Sequence, residues 1–471
     1  AAFLRGFRAI YLGLFFNAMI MASVNLAAIK IAGVLLGVDK YTTVLVSGAL
    51  TALYAASSGL RGVVITDAIQ FGIAMIGAFA AAYYAVSLPE VGGLAGLFSH
   101  PDVMPKMSML PDFGDWRTAA AVFLVPVAVQ WWSTWYPGAE PGGGGYVAQR
   151  MLAARDEKES LLSVLLFNIL HYGLRPWPWI IVALASIIIY PDLASIAARF
   201  PHLDPSIIRN DLAYPAMLIY LPHGVLGVMV ASLAAAYMST ISTHLNWGSS
   251  YLVDDVYRRF LAPDRSERHY VAMARLTTVL LVICAAVLSL WLENAFQAFQ
   301  IMLQVGAGTG LIFLLRWFWW RINAWSEISG MALSFAVAVY FQFGHVRLGF
   351  APLDPTETLV LGVAITTAGW LLVTFLTRPT DQATLQTFYD KIRPAGRGWR
   401  KAVITDPSEP QGQLSAALLA WFLGCVVVYG AMFATGSLLY GHLLSGSSAA
   451  IVSAGAAVAL VRILPRVGVI R

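Results

Sequence analysis

The chain has 471 residues, of which 59% are hydrophobic and only 12% are charged. A soluble domain carries about 25% charged residues, so this composition excludes a soluble protein and indicates an integral membrane protein. The formal net charge of +5 is small, and the sequence contains no nucleic-acid-binding motif.

Apolar stretches of about twenty residues or more recur along the chain, and this is the length that a helix needs to cross a hydrocarbon core. Cys284 and Cys425 lie in two of them and are interpreted as packing residues. We therefore predict an all-α membrane protein. The predicted spans are twelve, approximately 9–36, 41–58, 63–88, 117–150 (broken), 159–190, 223–252, 270–291, 295–315, 325–344, 357–377, 413–440 and 447–464.

If the N-terminus is placed inside, successive loops alternate strictly between the inner and the outer side of the membrane. Of the 30 Lys and Arg, 22 then fall on the inner side, 6 on the outer side, and Lys30 and Arg175 within spans. This bias follows the positive-inside rule and predicts a multi-pass protein of the cell membrane with both termini cytoplasmic. The chain begins AAFLRGF, without Met or a signal-peptide pattern. We therefore expect a fragment that lacks upstream spans.

The third span opens with GLRGVVITDAIQF, where Asp67 lies about one turn inside the cytoplasmic end. Thr66, Asp67 and Gln70 form a compact polar patch at that point. The patch either serves the exit of an ion to the cytoplasm or marks the membrane interface, and position alone favours the interface.

The fourth span is irregular, because VQWWSTWYPGAEPGGGGYVAQR places prolines, glycines and Glu140 between apolar flanks. Pro removes a backbone donor and Gly loosens a helix, so we expect this segment to unwind. Broken helices are tolerated in a membrane where they line a cavity. The alternative is an ordinary outer loop after Tyr136, but the charge alternation argues against it because Arg150 must be reached on the inner side.

The fifth span, FNILHYGLRPWPWIIVAL, places His171 and Arg175 four residues apart on one helical face. An intramembrane arginine is a functional-site hypothesis by default. The alternative is a structural ion pair with Glu140, the acidic residue expected at comparable depth, and both roles can hold together.

The sixth span carries a row of hydroxyls and an amide within AAAYMSTISTHLNWGSS. The positions that recur at spacings of three and four, and so share one helical face, are Ser232, Ala236, Ser239, Thr243, Asn246 and Ser250, with Thr240 beside Ser239. Such a stripe suits weak, reversible capture of a hard monovalent cation if it faces a cavity. Alternatively, the hydroxyls bond to carbonyls of their own helix or of a neighbour.

Four segments in this order resemble the sodium:solute symporter family. They are GLRGVVITDAIQ at 59–70, QRMLAARDEKES at 149–160, GVLGVMVASLAAAYMSTISTHLNWGSSYLVDDVYRRF at 224–260 and LLRWFWWRINAWSEI at 314–328. The resemblance implies a LeuT-like fold of two inverted five-helix repeats. It places the transporter core at 1–377, with the end of the first repeat at 1–88, the second repeat at 117–316 and extra helices to 377. A cytoplasmic loop follows at 378–412, and two peripheral helices occupy 413–471.

The resemblance also implies roles for individual residues. It implies that the Ala236 carbonyl and the Ser239 and Thr240 hydroxyls bind sodium, and that Asp67 lies on the sodium exit path. His171 falls where sugar-carrying relatives place a substrate-contacting lysine, and Gln300 lies on another solute-facing helix. The full set of solute-pocket candidates is Trp132, Trp135, Tyr136, Glu140, His171, Arg175 and Gln300.

Two departures from the family pattern matter. The first two helices of the first repeat have no counterpart in this sequence, and the first of them normally supplies the other half of the sodium site. We therefore expect Ala236, Ser239 and Thr240 to form half a site. The Asn/Tyr/Trp pattern of sugar carriers is replaced by TWYPGAEPGGGG, which argues against a sugar specificity.

The sequence predicts a sodium-coupled secondary symporter that imports a small organic solute by alternating access. Its partners are the solute, the coupling sodium ion and the lipid bilayer, with no nucleic acid and no obligate protein partner. An unpaired Arg175 would suit a carboxylate-bearing solute. The alternative is a transporter-like membrane sensor that reports solute occupancy. We do not expect an enzyme, because no His, Cys or carboxylate cluster has metal-binding or acid–base spacing.

Overall fold

The computed structural model describes residues 2–55, 60–136, 145–394, 398–404 and 414–467. Regular structure in these ranges is helical, apart from an isolated antiparallel bridge between Thr134 and Ala307. The helices are α1 (Ala2–Leu36), α2 (Lys40–Ala55), α3 (Leu60–Val86), α4 (Gly93–Ser99), α5 (116–133), α6 (Gly145–Leu152), α7 (Glu157–Ile189), α8 (Leu193–Arg199), α9 (Ala213–Leu218), α10 (His223–Leu261), α11 (Glu267–Ser289), α12 (Ala295–Gly306), α13 (Gly310–Leu315), α14 (Ala324–Gly344), α15 (Pro355–Leu376), α16 (Gln382–Ile392), α17 (Leu414–Leu439) and α18 (Leu443–Val467). Short 3-10 turns occupy Met104–Lys106, Pro205–Ile207, Asn210–Leu212 and Val346–Leu348.

Nine helices in the described ranges are long and apolar enough to cross a membrane, namely α1, α3 from Ala68 onward, α7, α10, α11, α14, α15, α17 and α18. They coincide with nine of the twelve predicted spans. The other three predicted spans look different: the described part of α2 has 16 residues, the fourth span is divided between α5 and α6, and the eighth between α12 and α13. The all-helical membrane fold is confirmed, and the number twelve stays a prediction.

Several helix starts follow from capping chemistry that is readable in the sequence. Asp156 accepts a hydrogen bond from the Glu159 amide at the start of α7. Reciprocal capping boxes open α14 at Asn323 and α15 at Asp354. Such caps satisfy backbone donors that have no partner in the first helical turn.

The end of α10 differs from the expectation that this span stops near residue 252. A π-helical segment, Tyr251–Leu261, continues the helix without a break. Its last part carries charge, and Asp255 pairs with Arg5 of α1 at 2.5 Å. The helix therefore extends well beyond its apolar stretch, which hydropathy alone does not detect.

By contacts, the chain divides into two compact units, the first comprising 1–108 and 175–300. Its core includes Met21 of α1, Ile241 and Leu245 of α10, and Leu281 and Ala285 of α11. These apolar residues come from sequence positions far apart, so they pack α1, α10 and α11 against one another.

The second unit comprises 109–174 and 301–471. α14 and α15 pack together, and the hydroxyl oxygens of Thr374 and Ser326 lie 2.6 Å apart between them. Trp131 of α5 stacks on Trp421 of α17, with ring centroids 5.7 Å apart. The predicted repeat and domain boundaries stay a prediction.

Candidate functional site

The candidate sodium ligands lie on α10 in the first unit. The Thr240 hydroxyl donates to the carbonyl oxygen of Ala236 at 2.9 Å. This is the local back-bonding that the sequence also allowed. It does not exclude ion binding, because the hydroxyl oxygen keeps lone pairs and the carbonyl can accept more than once.

Ala236 and Thr240 also line a common cavity. It has a volume of about 570 Å³ and is walled by α1, α2 and α10, with Ala28, Leu50 and Leu233 among its apolar side chains. Ala236 and Thr240 thus both belong to the wall of a mostly apolar space, and the oxygens they offer are a carbonyl and a hydroxyl. An oxygen donor beside low-dielectric walls interacts more strongly with a cation than it does in water.

Ser239 is placed differently. It is half-buried and does not line this cavity, and its carbonyl oxygen accepts a hydrogen bond from the Ser242 hydroxyl at 3.1 Å. The structure therefore brings two of the three predicted sodium residues to one wall. The role of Ser239 stays a prediction.

Asp67 lies in α3, which packs against α10. The packing is close near the middle of α3, where a Cβ on Gly77 would lie 2.7 Å from the Met229 sulfur. The position of the Asp67 side chain lies outside the described residues, and its role on the exit path stays a prediction.

A buried polar pair beside these residues was missed by the sequence analysis. Asn17 of α1 donates through Nδ2 to the His244 carbonyl at 2.6 Å, and its Oδ1 lies 2.6 Å from His244 Nδ1. Since Nδ2 is committed to a carbonyl, Oδ1 faces the ring and Nδ1 must be the donor. The pair joins α1 to α10 one turn beyond Thr240. The polarity of both residues within apolar spans was the available signal.

Close helix crossing supports this pair. A Cβ on Gly248 would lie 2.1 Å from Asn17 Nδ2 and 2.8 Å from the Gly13 carbonyl oxygen. Only glycine fits there without displacing α1, so Gly248 permits the approach that brings Asn17 to His244.

A charged network lies at another point of the first unit. The Lys30 side chain is only 3% exposed, and its Nζ lies 2.5 Å from Asp211 Oδ1 and 3.0 Å from the Glu293 carbonyl oxygen. The second oxygen of Asp211 accepts from the Ala295 amide at 3.3 Å, and Glu293 pairs with Arg209 at 3.1 Å. The network ties α1 to the start of α12. Lys30 was recognised in the sequence only as a basic residue within a span.

Three candidate solute residues lie around the end of α5 in the second unit. The Trp132 Nε1 donates to the Ala128 carbonyl at 2.7 Å. Trp135 is 1% exposed, and its ring lies 5.2 Å from that of Phe313. Its amide donates to the Gly306 carbonyl at 3.1 Å, and Tyr136 next to it is half-buried. Trp135 is thus packed into this unit.

The broken fourth span agrees with the expectation where it is described. α5 ends at Ser133, and Thr134 has the extended angles φ −101° and ψ 133°. A new helix begins at Gly145. Residues 137–144, including Glu140, lie outside the described residues, and so does the predicted pair of Glu140 with Arg175.

The fifth span holds the next two candidates. A π-helical turn, Ile169–Leu174, contains His171, whose ring lies 5.1 Å from Phe167 and 4.8 Å from Tyr172. Arg175 follows the turn in the first unit, with its guanidinium 5.2 Å from the Trp179 ring.

Gln300 lies half-buried in α12. In the part of the chain that the structure describes, no group of three or more His, Cys, Asp or Glu could hold a metal ion. The candidate cation donors on α10 are a carbonyl and hydroxyls, and such neutral oxygens suit a monovalent alkali cation better than a transition metal.

Comparison with known proteins supports one family. The sodium/glucose cotransporter of Vibrio parahaemolyticus is 28% identical over 328 residues, which cover 67% of this chain and 60% of the relative. The mouse sodium/myo-inositol cotransporter 2 is 26% identical over 330 residues, covering 63% and 47%. The chain thus spans between about half and three fifths of the length of these curated relatives.

A solved structure, described as the substrate-bound outward-open state of a Na⁺-coupled sialic acid symporter, matches with a TM-score of 0.56. The sequence identity is 20%, and the match covers 80% of this chain and 76% of the other. This likeness confirms the predicted LeuT-like helical fold. The family model matches residues 3–333, most of the chain. This chain belongs to the sodium:solute symporter family.

Proposed function

We propose that the protein is a sodium-coupled secondary symporter that imports a small organic solute by alternating access. The observation that carries the proposal is that Ala236 and Thr240, on a helix within the matched family segment, line one cavity and offer neutral oxygens as donors. Sodium would bind to the Ala236 carbonyl and the Ser239 and Thr240 hydroxyls, and would leave along a path near Asp67. The membership of a transporter family also agrees with the expectation that the chain is not an enzyme.

Coupling requires that sodium bind more tightly to one conformation than to the other. At a membrane potential of 100 mV and a tenfold gradient, one sodium ion supplies about 2.3 kcal/mol from the potential and about 1.4 kcal/mol from the gradient. These terms together support solute accumulation of about 500-fold. A neutral oxygen site suits this cycle because sodium must also be released.

The solutes of the relatives bear on the solute class of this protein. The curated relatives are named for glucose and myo-inositol, and the solved structure for sialic acid. We infer a polar organic solute, with Trp132, Tyr136 and His171 as aromatic or hydrogen-bonding contacts. Trp135, Glu140 and Gln300 stay candidates on the sequence resemblance. The fixed positive charge of Arg175 favours a solute that carries a carboxylate.

The experiment is uptake of labelled solutes into proteoliposomes that contain the intact protein, with and without a sodium gradient. A counterflow screen first identifies the solute, with neutral polyols and carboxylated sugars as separate arms. Replacing both Ser239 and Thr240 with Ala is expected to abolish sodium-dependent uptake. Ser249→Ala is the matched control, because Ser249 lies on the same helix and bonds to the Asn246 carbonyl at 3.2 Å. Unchanged sodium dependence in the double variant contradicts the assignment.

A further inference from the structure

Two interrupted helices meet within the second unit. α5 ends at Ser133, and the chain between α12 and α13 is non-helical around Gly308. Thr134 and Ala307 form an antiparallel bridge at this point. Backbone groups released from both helices therefore lie side by side.

Three glycines make this approach possible. A Cβ on Gly306 would collide with the Trp135 backbone, and one on Gly310 would lie 2.8 Å from the Trp132 carbonyl oxygen and 3.0 Å from that of Thr134. Gly308 has φ +80°, and a Cβ there would lie 2.7 Å from the Thr366 Cβ of α15. The end of α5, the break after α12 and Thr366 thus form one tight junction.

The junction contains buried hydroxyls without hydrogen-bond partners. Ser133 and Thr366 are 0% exposed and Thr134 is 2% exposed, and the hydroxyl oxygen of each lacks a partner. Two other buried hydroxyls of this unit are bonded: Thr309 donates to the Gly306 carbonyl at 2.6 Å, and Thr374 of α15 to the Trp370 carbonyl at 2.7 Å. Buried hydroxyls are costly to leave unpaired, so three in one junction indicate a ligand.

The chemistry of the junction selects the ligand. The donors are uncharged oxygens at the C-terminal end of a half-helix, where carbonyls carry the negative end of the helix dipole. Discontinuous membrane helices use such ends to coordinate coupling cations. We propose that Ser133, Thr134 and Thr366 form a second monovalent-cation site, which takes sodium. Ser133 and Thr134 lie within residues 3–333, which the family model matches, and Thr366 lies beyond them, so the matched segment does not include the whole site.

The proposal rests on the proposed function, since it adds a second coupling ion to the same transporter. The test is the solute gradient at which net flux stops in proteoliposomes of the intact protein, with a tenfold sodium gradient and no membrane potential. One coupled ion balances a solute ratio of about 10, and two balance about 100, because each ion adds one tenfold factor.

We expect net flux to stop at a solute ratio near 100 in the wild type and near 10 in Thr366→Val. Thr366→Ser keeps the hydroxyl and is expected to return the balance to about 100, which shows that the loss is not one of folding. Thr374→Val is the matched control, because Thr374 is equally buried on α15 but its hydroxyl is already bonded. It should leave the balance at 100.

A wild type that balances near 10 overturns the second site while leaving sodium coupling intact. The same holds if Thr366→Val still balances near 100, the result expected if a water molecule occupies the junction. Absence of any sodium-dependent flux in the wild type instead overturns the proposed function itself.

Discussion

The pair of Lys30 and Asp211 makes a sharp prediction, because its two partners differ in exposure. The Lys30 side chain is 3% exposed and that of Asp211 is 31% exposed. Asp211→Asn leaves a buried ammonium facing a neutral amide, whereas Lys30→Met leaves a carboxylate that water and the Ala295 amide can still solvate. Removing the acid should therefore destabilise the protein more than removing the base.

The magnitudes follow from the burial. Stranding a buried charge costs about 3–5 kcal/mol, so we expect this loss for Asp211→Asn. Lys30→Met removes the hydrogen bond and leaves the partly exposed Asp211 carboxylate without its counter-ion. This change should cost about 1–2 kcal/mol. The double variant contains no buried ammonium, so it should be more stable than Asp211→Asn alone.

The assay is thermal unfolding of the purified protein in one detergent, arranged as a double-mutant cycle. The cycle reports the coupling between the two side chains, for which close pairs give about 0.5–3 kcal/mol. A greater loss for Lys30→Met than for Asp211→Asn refutes the reasoning. Strict additivity of the two changes does so as well.

Two other predictions concern packing and pH. Gly248→Ala should destabilise the protein by about 1–3 kcal/mol, because the new methyl group meets Asn17 Nδ2. The control in the same unfolding assay is Gly224→Ala on the same helix, where a Cβ would have nothing within 4 Å. The Lys40 ammonium, 2.9 Å away, and the Ser206 amide hold the pKa of Asp204 at about 2, below its ordinary 3.8. The exposed pair should contribute less than about 1 kcal/mol, present above pH 4 and lost as the pH falls toward 2. The difference in melting temperature between wild type and Lys40→Met measures it.

Equal effects of the substitutions at Gly248 and Gly224 would show that α1 and α10 do not cross as closely as described. For the pair of Lys40 and Asp204, a melting-temperature difference that grows on acidification would contradict the predicted sign of the pH dependence. That sign is fixed because a carboxylate with a lowered pKa stabilises the folded protein only while it is ionised.

Hydropathy could predict the helical membrane fold because a membrane span needs a long apolar run and little else. It was less accurate where a helix is interrupted or carries charge. α12 and α13 were expected as one span, and α10 extends to Leu261 through a charged π-helical segment. Short-range pattern also identified Ala236 and Thr240 as neighbours on one face, since residues four apart are adjacent on a helix.

The tertiary pairs could not be predicted in the same way. Asn17 and His244 are 227 positions apart, and Lys30 and Asp211 are 181 apart. Each residue reads as an isolated polar group within or beside an apolar run, and periodicity contains no information about its partner. Ser133 and Thr366 border one junction only because glycines allow two broken helices to touch.

The hydrogen bond from Thr240 to the Ala236 carbonyl bears on the choice of coupling ion. The hydroxyl proton is used within the helix, and the donors proposed for sodium are a carbonyl and two hydroxyls, none of which titrates between pH 4 and 9. Sodium can arrive and leave without any proton being exchanged at these atoms. A proton has no base to occupy there, so acidification should not substitute for sodium at this position, and the affinity of these donors for the ion should be indifferent to pH.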